Sequence, residues 1–365
     1  MSAVRGWCPG ALRPMESGDG WVVRVKPPGG RLSAGQAAGL AHAATRHGNG
    51  LIDLTGRANL QLRGVTPASH APLIDDLRAL DLIDPDLPTE TRRNIIVTPF
   101  ADAESDRLAA GLAAALAASD LTLPAKFGFA VDNGPAPVLT QTPADIRIER
   151  DTAGALILRA DGMERGEALT DIAQAVGLAR WFLEQGGMRD GRGRIAALIG
   201  AGIMPKAGCR AQQGLPVPGP GRVRQGQLVA LEFGQIEAAT LAALGPLRLT
   251  PWRMLLLEGR ETVPDLPGLI LDADAPLLRL RACTGAPGCP QAHAATRPLA
   301  RRLAAHLPPG AILHVSGCAK GCGWPRAAAL TLTATPQGFD LIRQGRAGDA
   351  PDLRGLAADQ LPQVL

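Results

Sequence analysis

Four cysteines stand out by their spacing. Cys283 and Cys289 form a C-x5-C pair; Cys318 and Cys322, after twenty-eight intervening residues, form a C-x3-C pair. Each pair sits in a Gly- and Pro-rich stretch, Cys-Thr-Gly-Ala-Pro-Gly-Cys-Pro at 283–290 and Ser-Gly-Cys-Ala-Lys-Gly-Cys-Gly-Trp-Pro at 316–325. Four thiolates are the usual ligand complement of an iron–sulfur cluster. Glycine lets main-chain N–H groups approach anionic sulfur, and proline fixes loop shape. Structural zinc also takes four cysteines, but its pairs are usually two to four residues apart, so C-x5-C suits a cluster better. Two disulfides satisfy the arithmetic but not a reducing compartment. Cys8 and Cys209 fall outside the pattern and read as packed or idle thiols. The histidines show no H-x-H or H-E-x-x-H spacing, so no mononuclear iron ligands can be assigned from them.

Both pairs follow predicted strands, at 277–281 and 311–315, with a helix expected between them at 291–306. Upstream, 20–26 alternates and reads as a strand, and Ser33 reads as the N-cap of a helix over 34–47. Residues 51–65 give strand, Thr-Gly turn and strand, and 71–80 a second helix. The order recurs as a strand at 227–233, a helix at 235–244 and two strands across 247–259. Laying 54–64 (LTGRANLQLRG) over 249–259 (LTPWRMLLLEG) leaves five of eleven positions identical, which points to a duplicated α+β unit. Strands at 93–100, 126–132 and 155–159, an Ala-rich helix at 108–118 and a helix at 171–185 form an α/β stretch. The Gly- and Pro-rich segment 200–221 reads as a linker between the halves.

Composition narrows the function. The chain has 365 residues, 46% hydrophobic and 20% charged, enough for several packed domains. Net charge is +4 with scattered Lys and Arg, which is no nucleic-acid signature. Aromatics are 3% and there is no Tyr, so tyrosine chemistry is excluded and base-stacking surfaces are scarce. The apolar tract 108–118 is too short to span a bilayer. No secretory signal pattern opens the chain, so a cytoplasmic protein is expected. Taken by themselves, Arg24, Arg57 and Arg63 read as the exposed face of an antiparallel sheet.

The cysteine pattern resembles the cluster signature of the sulfite/nitrite reductase superfamily. The duplicated unit and segments 55–64, 92–99 and 123–129 resemble it too, so the likeness spans nearly the whole chain. It implies an α+β protein with the duplicated nitrite/sulfite reductase fold, two ferredoxin-like half-domains paired with two α/β domains. The expected boundaries are 1–80 and 222–265 for the half-domains, and 81–215 and 270–365 for the α/β domains. The last would carry a [4Fe–4S] cluster on Cys283, Cys289, Cys318 and Cys322. Three of the four basic residues that surround the small anion in the reductases fall on Arg24, Arg93 and Lys126; the fourth is replaced by Gly128. The Arg and Gln of the reductases' TRxxxQ segment fall on Arg57 and Gln61, where the Arg helps hold the macrocycle's carboxylates.

Losing one cation of four weakens the case for reducing a small anion. A tetrapyrrole substrate would still call for rim arginines, because guanidinium binds carboxylate bidentately. Segments 5–10, 14–20, 47–50, 53–64 and 282–291 resemble a branch of the superfamily that serves the aerobic cobalamin pathway. That branch implies a monooxygenase hydroxylating precorrin-3A with O2 and closing a γ-lactone. Arg24, Arg57, Gln61, Arg93 and Lys126 would bind the macrocycle. The branch also implies a non-haem iron and an electron donor; neither the iron's ligands nor a general base is identified. The alternative is a sirohaem-dependent sulfite or nitrite reductase with Cys322 bridging to the sirohaem iron. A non-catalytic electron carrier or a zinc-stabilised binding protein is the third reading.

Overall fold

The computed structural model describes residues 9–365; Cys8 and the 5–8 part of the opening motif lie outside the described residues. The first half opens with a hairpin of β1 (Met15–Ser17) and β2 (Gly20–Val25), the two-residue β3 (Arg31–Leu32) and α1 (Ala34–His47). α1 starts where its sequence says because Ser33 and Gln36 make a reciprocal capping box. β4 (Leu51–Leu54), β5 (Leu60–Val65) and α2 (Pro67–Ala79) follow. α2 begins ahead of the expected residue 71, because Thr66 caps it and Pro67 fills the first turn. Next come α3 (Leu87–Arg92), β6 (Ile95–Val97), α4 (Ala103–Ala118), β7 (Phe129–Val131), β8 (Ile146–Arg150), β9 (Leu156–Ala160), β10 (Arg165–Ala168), α5 (Ala173–Glu184), α6 (Ile195–Gly200) and β11 (Cys209–Arg210).

The second half repeats the plan: β12 (Gly221–Val223), β13 (Gly226–Leu231), β14 (Gln235–Glu237), α7 (Ala238–Leu244), β15 (Leu247–Leu249), β16 (Met254–Glu258) and β17 (Leu269–Ile270). Then come β18 (Leu280–Ala282), α8 (Thr296–Leu303), β19 (Leu313–Ser316), β20 (Ala328–Thr335), β21 (Gly338–Gly345), β22 (Leu353–Leu356) and α9 (Leu361–Val364). Two expectations are corrected. The helix expected at 235–244 begins only at Ala238, because Gln235–Glu237 is drawn into a sheet by β4. The helix expected at 291–306 begins at Thr296; the preceding residues are held in the cysteine loop, where His293 N donates to Gly317 O at 2.8 Å. β20 and β21 have no counterpart among the predicted elements.

The halves exchange strands. One sheet runs β1-β2-β5-β4-β14 and the other β12-β13-β16-β15-β3, with β17 also on β13, so each takes its last strand from the other half. The duplicated hairpin turns match in detail. Thr55 Oγ1 accepts from the N–H groups of Arg57 and Asn59, and Thr250 Oγ1 from those of Trp252 and Met254. Ala58 and Arg253, at equivalent positions, both take positive φ. The α/β parts match as well. β6-β7-β8 and β18-β19-β20 are parallel triplets, each continued by antiparallel strands. Thr98 N donates to Val131 O as Cys283 N donates to Val315 O, which makes Thr98 the counterpart of Cys283.

Strand alternation sets the site. In the first sheet Val23, Val25, Ile52, Leu60 and Leu62 face the central core, where α1 packs on α7. The opposite face carries a cross-strand row, Arg24 beside Gln61 beside Asp53 beside Gln235. Separate cores fill the two α/β parts. Among the described residues no helix is long and apolar enough to cross a membrane.

Candidate functional site

The polar face of the first sheet looks toward the two cysteine loops, across a cavity of about 740 Å³ lined by all four cysteines, Gln61 and Asp53. The loops leave the ends of the parallel strands β18 and β19, the usual place for a site in such sheets. Their glycines are required by space. A Cβ on Gly317 would lie 2.7 Å from Ala292 Cβ and 3.5 Å from Cys283 Sγ; one on Gly323 would lie 2.8 Å from Cys283 N. The bare main chain at Gly317 instead donates its N–H to Cys283 Sγ at 3.2 Å. Thr296 Oγ1 donates to Cys283 O at 2.7 Å, and Ser316 Oγ to Cys318 O at 2.7 Å. Burial, and then the thiols of Cys318, Cys283 and Cys289, push the Cys322 thiol up. Among the described residues no three His, Cys, Asp or Glu converge on a point that could hold one metal ion. All four thiols line this one cavity, and four cysteine thiolates are the donor set of an iron–sulfur cluster.

The first half-domain is stitched to the Cys289 loop. Ser17 Oγ donates to Gly288 O at 3.2 Å, and a Cβ on Gly18 would lie 2.7 Å from Pro290 Cδ. Behind this turn Arg63 donates to Asp19 at 2.6 and 2.8 Å, to Asp53 at 3.0 Å and to Ser17 Oγ at 3.0 Å. Burial opposes the Arg63 charge, but the two carboxylates hold its pKa above the ordinary value. Arg63 is therefore a buried brace, not a residue of an exposed sheet face.

The other expected binding residues are spread along one side. Arg24 neighbours Gln61 across β2 and β5, and with Lys26 and Glu90 it lines a small cleft of about 30 Å³. Arg93 is clamped by Asp84 at 2.6 and 2.9 Å and donates to Lys26 O. Arg57 donates to Lys126 O at 2.8 Å, and a Cβ on Gly128 would sit 3.5 Å from its Nη1. The structure thus gathers Arg57, Lys126 and Gly128 in one corner, and of the five only Gln61 lines the large cavity.

Sequence reasoning passed over Arg253 and Arg297, both of which line the cavity. Arg253 occupies the hairpin turn where the first repeat has Ala58, and that substitution within the repeat is the signal that could have found it. His314, on β19, is fully buried, and neither ring nitrogen has a hydrogen-bond partner among the described residues. Burial, and then Arg253, push its pKa down to about 4, so the ring is neutral at ordinary pH.

The family description of the nitrite/sulfite reductase ferredoxin-like half domain matches residues 13–80. The solved structure of the Mycobacterium tuberculosis NirA protein superposes with a TM-score of 0.60 at 16% identity, covering 94% of this chain and 79% of that one. The exchanged half-domains and paired α/β parts have the duplicated nitrite/sulfite reductase fold. Within that fold the chain resembles precorrin-3B synthase from Sinorhizobium sp, with 28% identity over 96% of this chain and 85% of that protein. It also resembles ferredoxin–nitrite reductase from Synechococcus elongatus, with 26% identity over 97% of this chain and 86% of that one.

Proposed function

We propose that this protein is an oxidoreductase that carries out the precorrin-3B synthase reaction in the cytoplasm. The observation that carries the reading is the end-to-end similarity to a precorrin-3B synthase. A cavity bounded by four thiols on one wall and cationic side chains on another supports it. In this reading precorrin-3A is hydroxylated and closes a γ-lactone. One oxygen atom of O2 enters the product, the other leaves as water, and an external donor supplies two electrons. A ferredoxin, the donor named for the nitrite reductase relatives, has the chemistry for that supply.

Cys283, Cys289, Cys318 and Cys322 would hold a [4Fe–4S] cluster, with the N–H of Gly317 directed at sulfur. When bound, the cluster supplies one-electron storage and transfer. Gln61 would face the macrocycle in the cavity, and Arg24, Arg57, Arg93 and Lys126, which lie along the same side but off the cavity, would bind carboxylates that reach beyond it. The lactone nucleophile is a carboxylate of the substrate itself, so the step needs no protein nucleophile. For the non-haem iron that the resemblance also implies, no three His, Cys, Asp or Glu converge among the described residues, so no step is assigned to it.

Anaerobically purified protein, given precorrin-3A, a reductant and 18O2, should yield product with one labelled oxygen; unlabelled product overturns the assignment. The similarity to a nitrite reductase favours one competing reading, a sirohaem enzyme. Sirohaem absorption bands together with nitrite or sulfite reduction would establish it in place of ours.

A further inference from the structure

We propose that Arg253 and Arg297 form a two-armed carboxylate clamp in the cavity wall, selecting a macrocycle that carries acidic side chains. The inference rests on the reading that this cavity takes a tetrapyrrole. It goes further by naming which groups of the ligand are read and by which residues.

The argument starts from the charges around the cavity. The cations are Arg63, Arg253, Arg297 and Lys320, and the anions are Glu16 and Asp53. Arg63 is saturated by Asp19, Asp53 and Ser17. Asp53 is engaged on both oxygens: one accepts from Arg63 at 3.0 Å, and the other from Gln235 at 2.9 Å. Arg297 reaches Asp53 only at 3.5 Å, and its Nε is buried with no hydrogen-bond partner among the described residues. It is also the second residue of α8, where the helix N-terminus adds positive potential.

Arg253 is built in against local preference. Its φ is +62°, in the left-handed region that side-chain-bearing residues avoid. Its stem lies across Gly234, where a Cβ would come within 2.7 Å of Arg253 Cδ. Among the described residues its guanidinium makes no hydrogen bond or ion pair. Burial, and then the nearby charge of Arg297, push its pKa down. Two like charges on a desolvated wall repel each other, and an anion between them reverses the sign of the interaction. Guanidinium forks match carboxylates bidentately. A cavity of about 740 Å³ is far larger than a nitrite or sulfite ion needs and is of the size that holds organic ligands.

The test uses cluster-loaded protein and two stable porphyrins, uroporphyrin III with eight carboxylates and coproporphyrin III with four. Wild type should bind uroporphyrin more tightly, with affinity falling as salt is raised. Arg253→Gln and Arg297→Gln should each weaken uroporphyrin binding about tenfold, and the double variant about a hundredfold, with a shallower salt dependence. Discrimination between the two porphyrins should shrink in parallel. Arg253→Lys and Arg297→Lys, which keep charge and lose the fork, should retain part of the affinity and guard against a folding failure of the Gln variants. Cluster absorption reports that each variant is folded.

If wild type binds neither porphyrin nor precorrin-3A, the tetrapyrrole reading itself falls. If wild type binds and the double variant binds equally well with the same salt dependence, the clamp is refuted while the tetrapyrrole reading stands. Unchanged porphyrin binding with a shifted cluster reduction potential would also refute the clamp, assigning the arginines to the cluster as counter-ions.

Discussion

Replacing Arg63 with Met should unfasten the first half-domain from the cysteine loops, because one guanidinium holds Asp19, Asp53 and Ser17 together. The Arg63 side chain is 6% exposed, Asp19 20% and Asp53 16%. Removing one partner of a buried pair costs about 3–5 kcal/mol, most of it the desolvated charge left behind. Here Asp53 keeps Gln235 and Arg297, and Asp19 keeps Asn49 at 3.2 Å and some water. The lower end, about 3 kcal/mol, is therefore expected. For 365 residues that corresponds to a fall of roughly 4 °C in Tm, read by thermal unfolding of the cluster-loaded protein.

The pH dependence has a definite sign. Burial alone would raise the Asp19 pKa, but the Arg63 bonds outweigh it and hold it below the ordinary value. A depressed carboxylate stabilises above its unfolded pKa, and that stability is lost as pH falls through the folded pKa. Without Arg63, burial is opposed only by the bonds to Ser17 and to the main chain of Asp19, so the variant's acid transition should move to higher pH. Adding Asp19→Asn to Arg63→Met should recover part of the loss, because the stranded charge is gone. A Tm within about 2 °C of wild type, with an unmoved acid limb, would refute the brace.

Gly323→Ala places a Cβ 2.8 Å from Cys283 N and 3.0 Å from Ala282 C, main chain that cannot swing away. It should cost about 1–3 kcal/mol and lower iron and sulfide content per chain; full cluster content counts against the close packing of that loop. Cys289→Ser should abolish cluster absorption and turnover together, and full turnover without a cluster would remove its proposed role. Asp132 is buried, and burial pushes its pKa up to about 6. Stability is therefore retained below the ordinary carboxylate pKa and lost as pH rises through 6, by about 2–3 kcal/mol. Asp132→Asn keeps an acceptor for the N–H groups of Val138 and Leu139, so the Tm gap between it and wild type should widen from pH 4 to pH 7. A gap independent of pH would contradict this.

What was readable from sequence was whatever is decided locally. α1 was bounded correctly because its capping box lies within four residues, and the cysteines announced themselves by spacing. The duplication was visible in one turn because Thr55 and Thr250 organise their own neighbours. β14 was hidden because its partner β4 lies far back in the chain, and nothing in Gln-Ile-Glu outweighs the helical run after it. Arg63 was hidden for the same reason. Alternation put it on a polar face, and only tertiary structure shows what covers that face. Arg253 takes its meaning only beside Arg297, which arrives from another part of the fold.

The strand exchange bears on the molecule's origin. A single half with β3 or β14 swung outward has an unfilled sheet edge, and a second copy is what fills it. The chain thus has the form of a domain-swapped homodimer whose two protomers have been joined end to end. Such a dimer would have owned two identical sites. Fusion released each from symmetry, and here only one has thiols: Thr98 stands where the other has Cys283. The copy without a cysteine at this position could then drift into scaffolding, free to bury a carboxyl such as Asp132 beside Thr98.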